Sequence, residues 1–433
     1  MTVDTPYDIM IVGAGIFGVS TAYHLSLQSP HLSILLLDRS PAPPSPAAST
    51  DLNKIIRADY SNPLYMTLGF EAIDAWKSLP SFQAAGVHHP SGWICMDEKD
   101  SDSAIRIRQN FHRAGRDDCV VDMTKEEVRQ AWGGLLQQTD YSPFATYYFN
   151  PSAGWADAGQ ALQILTQEAV QRGVRFETGE ARRITRDDGC GGALGVKTAD
   201  GTVYTANKIV LATGAWTSQL MSSIEDELDL PDADRVERQI TAAGVCVSHF
   251  QLSPAEQERY AQLPVFVYGE QGEVIPPTAD GILKFTSASS FTNTIRTASG
   301  HEISVPVADQ LQVPQKLQEA HMREIRPRLP ELLEHGRRQP EWYRLCWDAI
   351  SPSQHPLITP HPDPRLANLY LAVGGSFHSY KFLPTIGRYV VNVLQGVSNG
   401  PEKDAAWAWK TIQPAEKGVH EKLIPTTEFR DLI

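Results

Sequence analysis

Residues 7–38 read YDIMIVGAGIFGVSTAYHLSLQSPHLSILLLD, and this stretch decides the fold. An apolar run from Ile9 to Val12 predicts a buried parallel strand. It stops at Gly13, Gly15 and Gly18, the spacing G-x-G-x-x-G. The first glycine permits a tight turn, the second lets the backbone approach a pyrophosphate, and the third lets the following helix, expected over residues 18–27, pack on the strand. The helix N-terminus then offers N–H groups and the positive end of its dipole to phosphates. A second apolar run, Leu32 to Leu37, ends in Asp38, where such units bind a ribose hydroxyl. A glycine-rich turn alone carries little weight, but here strand, glycines, helix, second strand and acid arrive in order. The N-terminal part of the chain is therefore expected to bind a dinucleotide.

Composition narrows the rest. The 433 residues suffice for two domains and a large core, and 42% hydrophobic with 21% charged residues is ordinary for a globular protein. A formal charge of −13 argues against nucleic acid or an anionic membrane as partner. No apolar window is long enough to cross a bilayer, and the N-terminus lacks the basic and apolar regions of a signal peptide. Five scattered cysteines without C-x-x-C spacing suit a reducing compartment and give no zinc site. The chain does not end in S-K-L, so the cytoplasm is the expected location, with the peroxisome as alternative. No metal is expected: His301, His355 and His361 lack ligand spacing.

After Asp38 the proline- and serine-rich RSPAPPSPAAST reads as a loop covering the dinucleotide site. DLNKIIRADYSNPLY then sets Asp51, Lys54, Arg57 and Asp59 around Ile55-Ile56, a pattern equally that of a solvated helix face. Residues 63–76 have the 3.6 period of an amphipathic helix. Composition shifts near residue 80 and returns near 150, where a glycine turn leads into a helix. Beyond it, Asp200-Gly201 is suited to a type I′ hairpin turn. The strand ending at Ala212 runs into Thr213-Gly214-Ala215-Trp216, where Gly214 lets the backbone pass close to a cofactor. Strand patterns resume over 220–340, then a helix from about 314 to 329. The division expected is 1–82, 150–220 and 340–433 for one domain, and 83–149 and 221–339 for the other.

Three further places bear on chemistry. Cys346, in RLCWD, reads as a core cysteine or a reactive one. Lys284, in GILKF, reads as a lysine snorkelling to solvent or as a buried cation. His378, Tyr380 and Lys381 follow Gly374-Gly375 at a strand end, where open α/β sheets place ligands.

Taken together these segments resemble the FAD-dependent amine oxidases that comprise monomeric sarcosine oxidase, pipecolate and saccharopine oxidases, and fructosyl amino acid oxidases (amadoriases). The likeness spans nearly the whole chain in the same order. It implies an α/β, two-domain fold: a Rossmann-type FAD-binding domain with an interleaved antiparallel-sheet substrate domain. It implies FAD bound by Gly13, Ala14, Gly15, Ile16, Phe17 and Gly18, by Asp38 and Arg39, and by Val174, Gly214 and Trp216. Ser49, Thr50, Asn53 and Lys54 match the segment bordering the flavin, and Arg57 matches an arginine that meets the substrate carboxylate. Lys284 resembles the oxygen-activating lysine and Cys346 the cysteine joined covalently to the flavin. GGSFHSYKFLPTIG resembles the signature G-x-S-G-H-x-[FY]-K-x-x-P-x-x-G, bringing Ser376, Phe377, His378, Tyr380 and Lys381 to the flavin, with Lys381 also binding substrate. Phe377 stands where that signature has glycine.

The resemblance implies a monomeric enzyme that takes an amine or amino acid and O2 and releases hydrogen peroxide. Amadoriases carry an F-F-E-P-D-like run before the lysine strand. Here the run is GEVIPPTADGILKF, with Pro276-Pro277 at that place and Glu273 ahead of it. The expected substrate is therefore another secondary amino acid such as saccharopine, pipecolate, an N-methyl amino acid or a fungal secondary-metabolite intermediate whose imine cyclises. A fructosyl amino acid oxidase, an NAD-dependent dehydrogenase and a catalytically idle flavin binder are the alternatives.

Overall fold

A computed structural model gives the fold and describes residues 6–116, 119–187, 193–334, 337–411 and 423–433. Cys190 lies outside them. The first strand, Tyr7–Val12, is the centre of a parallel sheet. Ile34–Asp38 and then Arg175–Thr178 lie on one side, and Val203–Leu211 and then Leu369–Val373 on the other. Leu357–Pro360 closes the second edge in antiparallel pairing. Met10, Ile11, Leu35, Leu36, Leu37, Val210 and Leu211 are completely or almost completely buried, as strands covered on both faces require.

The first helix runs Ile16–Gln28, so it starts two residues before the expected boundary. The glycines are there for space. Gly13 has φ 101°, and a Cβ on Gly18 would lie 1.8 Å from the Gly13 carbonyl oxygen. The helix closes over the strand only because both side chains are missing.

The second large sheet is organised by the eleven-residue strand Thr241–Gln251. On one flank Trp342–Ile350 pairs with it antiparallel from Thr241↔Ile350 to His249↔Trp342, and on the other Ile282–Thr286 pairs from Val247↔Thr286 to Gln251↔Ile282. Beyond the second flank follow Glu273–Ile275, Val265–Tyr268, Trp93–Glu98 and Phe144–Asn150. Cys346 sits opposite Val245 and Lys284 opposite His249, so both project from one face of the sheet.

Three local expectations change. Residues 53–56 form a strand, Asn53–Ile56, paired with Gly154–Asp157, and not a solvated helix face. Asp51, Arg57 and Asp59 are buried, the strand between them packing on Glu273–Ile275 of the second large sheet and on the helix Ala158–Gln171. Lys284 does not snorkel: it is 1% exposed. In the hairpin, positive φ falls on Gly201 (88°) and not on Asp200, which is not the pattern of a type I′ turn. Among the described residues no helix is long and apolar enough to cross a membrane.

Candidate active site

A long cavity starts at the glycine turn. Gly13, Gly15, Ile16 and Phe17 line it together with Asp38, Arg39, Gly214 and Trp216, and so do Lys54, Cys346, Phe377 and Tyr380. The Arg39 guanidinium lies 3.9 Å over the Trp216 ring. Asp38 is drawn toward the glycine turn, accepting from the Ala14 N–H at 2.7 Å, and burial holds its carboxyl above the ordinary range despite that bond. No acidic residue occupies the first helical turn, so the dipole there is uncompensated. A glycine cradle, a helix start capped by no side chain of its own N-cap residue, Gly15, and a carboxylate at the next strand end fit the pyrophosphate and ribose of a dinucleotide.

A second cavity abuts the first, and Lys54, Cys346, Phe377 and Tyr380 belong to both walls. Several of the chain's few buried charges line it. Lys284 Nζ donates to Asp51 Oδ2 at 2.8 Å and to the Asn53 carbonyl at 2.6 Å. Lys54 and Arg344 stand 3.4 and 3.6 Å from the same carboxylate. Burial alone would raise Asp51, but these cations hold it well below the carboxylate range. Burial lowers Lys284, and Asp51 opposes the shift. The cluster therefore stays ionised although it is out of water.

Arg57 lies between two rings, 4.6 Å from Tyr60 and 4.8 Å from Trp93. Lys381 Nζ donates to the Tyr60 hydroxyl at 2.8 Å and to the His378 carbonyl. Burial first, and Arg57 second, hold Lys381 well below its ordinary range. Burial also lowers His378 to about 3, so its ring is neutral. Nε2 then donates to the Gln354 carbonyl at 2.9 Å, leaving Nδ1 to accept from Tyr60 at 3.2 Å. Ser376 and Phe377 adopt φ values of 47° and 60°, a region costing roughly 1–3 kcal/mol for non-glycine residues. Asp348 holds the turn, accepting the Phe377 N–H at 2.8 Å. The phenyl ring that replaces the signature's glycine thus becomes part of the wall between the cavities.

Of the residues singled out from sequence, the structure brings Gly13, Gly15, Ile16, Phe17, Asp38, Arg39, Ser49, Lys54, Gly214, Trp216, Cys346, Phe377 and Tyr380 to the first cavity. Arg57, Lys284, His378 and Lys381 line the second. Ala14, Gly18, Thr50, Asn53, Val174 and Ser376 line neither. Val174 is 3% exposed and packs in the core. Asn53 acts through its backbone, and Ser376 is fully buried behind the turn. Sequence reasoning missed Glu180, Arg182 and Asp348 in the first cavity and Trp93, Cys95, Asp97 and Glu270 in the second. Trp93, Cys95 and Asp97 carried a signal, the alternation of a strand face, but nothing marked that face as a cavity wall. Glu273, discounted from sequence, lines the second cavity.

The family described as DAO, FAD dependent oxidoreductase, matches residues 8–393. The chain belongs to the DAO family. That membership decides for FAD over the nicotinamide alternative and makes the chain an FAD-dependent oxidoreductase. L-saccharopine oxidase of Schizosaccharomyces pombe is 26% identical over 429 residues, covering 94% of each chain. The amino acid oxidase fsqB of Aspergillus fumigatus is 26% identical, covering 90% of this chain and 92% of its own. Among solved structures, the deglycating fructosamine oxidase Amadoriase II of Aspergillus fumigatus superposes with TM-score 0.81 at 25% identity over 98% of this chain and 96% of its own. The expected fold and family are both borne out.

One further group in this DAO-family site titrates near neutrality. Asp59, 1% exposed, has burial raising its carboxyl to about 6 against Arg57 and the Asn150 amide, which donates to Oδ2 at 2.8 Å. A carboxyl raised on folding favours its protonated form. Its contribution is therefore complete below about pH 4 and is lost as pH rises through about 6, a change of about 3 kcal/mol. Asp59→Asn should remove this slope, so the gap in urea midpoint between native protein and variant should open between pH 4 and 7. A gap independent of pH would contradict the assignment.

Proposed function

We propose that the chain oxidises the C–N bond of a secondary amino acid to an imine, with FAD as cofactor and dioxygen, released as hydrogen peroxide, as final acceptor. The observation that carries this is the pair of buried basic side chains, Arg57 and Lys381, on a cavity that shares Cys346 and Phe377 with the dinucleotide cavity. The names of the relatives, saccharopine oxidase and amino acid oxidase, support the same substrate class.

FAD, when bound, supplies the acceptor for a hydride equivalent from the substrate α-carbon. The protein's part is positioning and charge. Arg57, stiffened between two aromatic rings, presents its fork to the carboxylate, and Lys381 adds a second contact, so the amine is turned toward the shared wall. Phe377 and Tyr380 exclude water there. Lys284 holds its proton at Nζ against Asp51 and keeps positive charge where oxygen acquires negative charge. Residues 1–82, 150–220 and 340–433 would hold the cofactor and 83–149 and 221–339 the substrate. In support, the five parallel-paired strands of the sheet centred on Tyr7–Val12 fall in the first set.

Cys346, 3% exposed and on the wall of both cavities, would carry the flavin as a thioether. Cys346→Ala is then expected to release its flavin into the supernatant on acid precipitation, while the native pellet stays yellow. Flavin in both supernatants would dismiss the tether.

A deglycating activity on fructosyl amino acids is the second reading, and Glu273 on the cavity wall favours it. Peroxide release from sarcosine, N-methyl aromatic amino acids, pipecolate, saccharopine and fructosyl-valine ranks the two. Turnover of none of them would sink both.

A further inference from the structure

Arg57 and Lys381, the two basic side chains assigned to the substrate's carboxylate, come from distant segments, yet one side chain touches both. Tyr60 lines the same cavity as Arg57, His378 and Lys381 and is 1% exposed. The Arg57 guanidinium stands 4.6 Å from the centre of its ring. Its hydroxyl oxygen accepts from Lys381 Nζ at 2.8 Å. The single hydroxyl proton goes to His378, whose Nδ1 and carbonyl oxygen both lie 3.2 Å away. A tyrosine kept for packing uses its ring, whereas this one also has its oxygen and its proton engaged.

Tyr60 is itself held from several sides. The Asn110 side-chain amide, on the helix Ser103–Arg113, donates to the Tyr60 and Ser61 carbonyls at 3.1 and 2.9 Å. Tyr65 and Phe382 flank the ring, with centroids 5.6 and 6.3 Å away. His378 lies in the turn that carries Phe377, a wall of both cavities, and its Nε2 is fixed on the Gln354 carbonyl at 2.9 Å. Tyr60 thus ties the carboxylate-binding end of the substrate cavity to the turn that faces the dinucleotide cavity.

We propose that Tyr60 is a positioning residue that fixes Arg57 and Lys381 at a set spacing from each other and from the Phe377 turn, and thereby makes the enzyme select amines that carry a carboxylate. This rests on the amino acid oxidase reading and deepens it by naming what aligns the substrate. Tyr60 touches no reacting atom. Its ring limits the swing of Arg57 and its hydroxyl that of Lys381, so the carboxylate enters a preset fork and the α-carbon is turned to the shared wall. Without the hydroxyl, Lys381 Nζ keeps only its bond to the His378 carbonyl.

The test compares native holoenzyme with Tyr60→Phe, Lys381→Met and the double variant on three pairs of acid and amine. The pairs are N-methylphenylalanine with N-methylphenethylamine, pipecolate with piperidine, and sarcosine with dimethylamine. Anaerobic bleaching of the flavin gives Kd and the reduction rate, and mixing with dioxygen then gives the reoxidation rate. Tyr60→Phe keeps the ring beneath Arg57 and removes one oxygen. For the acid that native enzyme oxidises fastest, it should raise Kd by about tenfold, the worth of one hydrogen bond at a buried basic group. Reduction should slow by about tenfold or more through misplacement, with reoxidation and binding of the paired amine changed by less than about twofold. In the Lys381→Met background the same change should alter Kd by less than about twofold, because the hydroxyl has lost the group it holds. A merely structural role would carry its full loss into that background. Should Tyr60→Phe fail to fold, 3-fluorotyrosine at position 60 keeps the shape with a poorer acceptor oxygen, and Kd should rise by about twofold. An unchanged Kd in either form, equal losses on acid and amine, or equal factors in both backgrounds would overturn the positioning role and leave the oxidase reading standing. Native flavin that none of the probes bleaches would overturn the oxidase reading, and the role of Tyr60 with it.

Discussion

Lys284→Met is expected to slow reaction of the reduced enzyme with dioxygen by about 10²–10³-fold, the range for removing one preorganised charge from a reacting centre. Reduction by substrate should change by less than about tenfold, because carboxylate binding falls to Arg57 and Lys381. Stopped-flow measurement of the two half-reactions separates these effects, and equal slowing of both would refute the oxygen-side role. The variant should fold. Breaking an isolated buried ion pair costs about 3–5 kcal/mol, but Asp51 keeps Lys54 at 3.4 Å and Arg344 at 3.6 Å. Its carboxylate stays compensated, so the loss should fall below that range.

Arg57→Gln is expected to lower kcat/KM by roughly 30- to 1,000-fold, corresponding to about 2–4 kcal/mol of lost charge-assisted contact. Most of the effect should appear in KM, since the contact holds substrate and transition state alike. A second consequence distinguishes this from simple misfolding. Asp59 is buried and leans on Arg57 for what ionisation it has. Removing the guanidinium should push the Asp59 carboxyl above about 6, so the variant's stability should go on falling to a higher pH than the native protein's. A variant with unchanged KM across the substrate panel would remove Arg57 from the clamp.

The cofactor end was legible because its signals are local. Gly13 and Gly18 answer to clashes with atoms a few residues or one strand away, and Asp38 to its position at a strand end. The substrate end was legible only by resemblance. Asp51, Lys54, Arg57 and Asp59 suit a solvated helix face as well as a buried strand, and nothing within the segment says which face meets the core. Glu273 was set aside because a nearby proline pair looked like a loss, whereas its strand returns it to the cavity wall.

By itself the sequence determined the dinucleotide unit, its order of strand, turn and helix, and the residue types available for flavin and amino acid chemistry. These depend on φ, on missing side chains and on hydrophobic period, all set within a few residues. Only the tertiary structure decided which charges meet. Lys284 reaches Asp51 across 233 positions and Lys381 reaches Tyr60 across 321. Contacts of that separation exist because segments far apart in sequence pack together, and burial then gives those few charges an influence that water would screen on the surface.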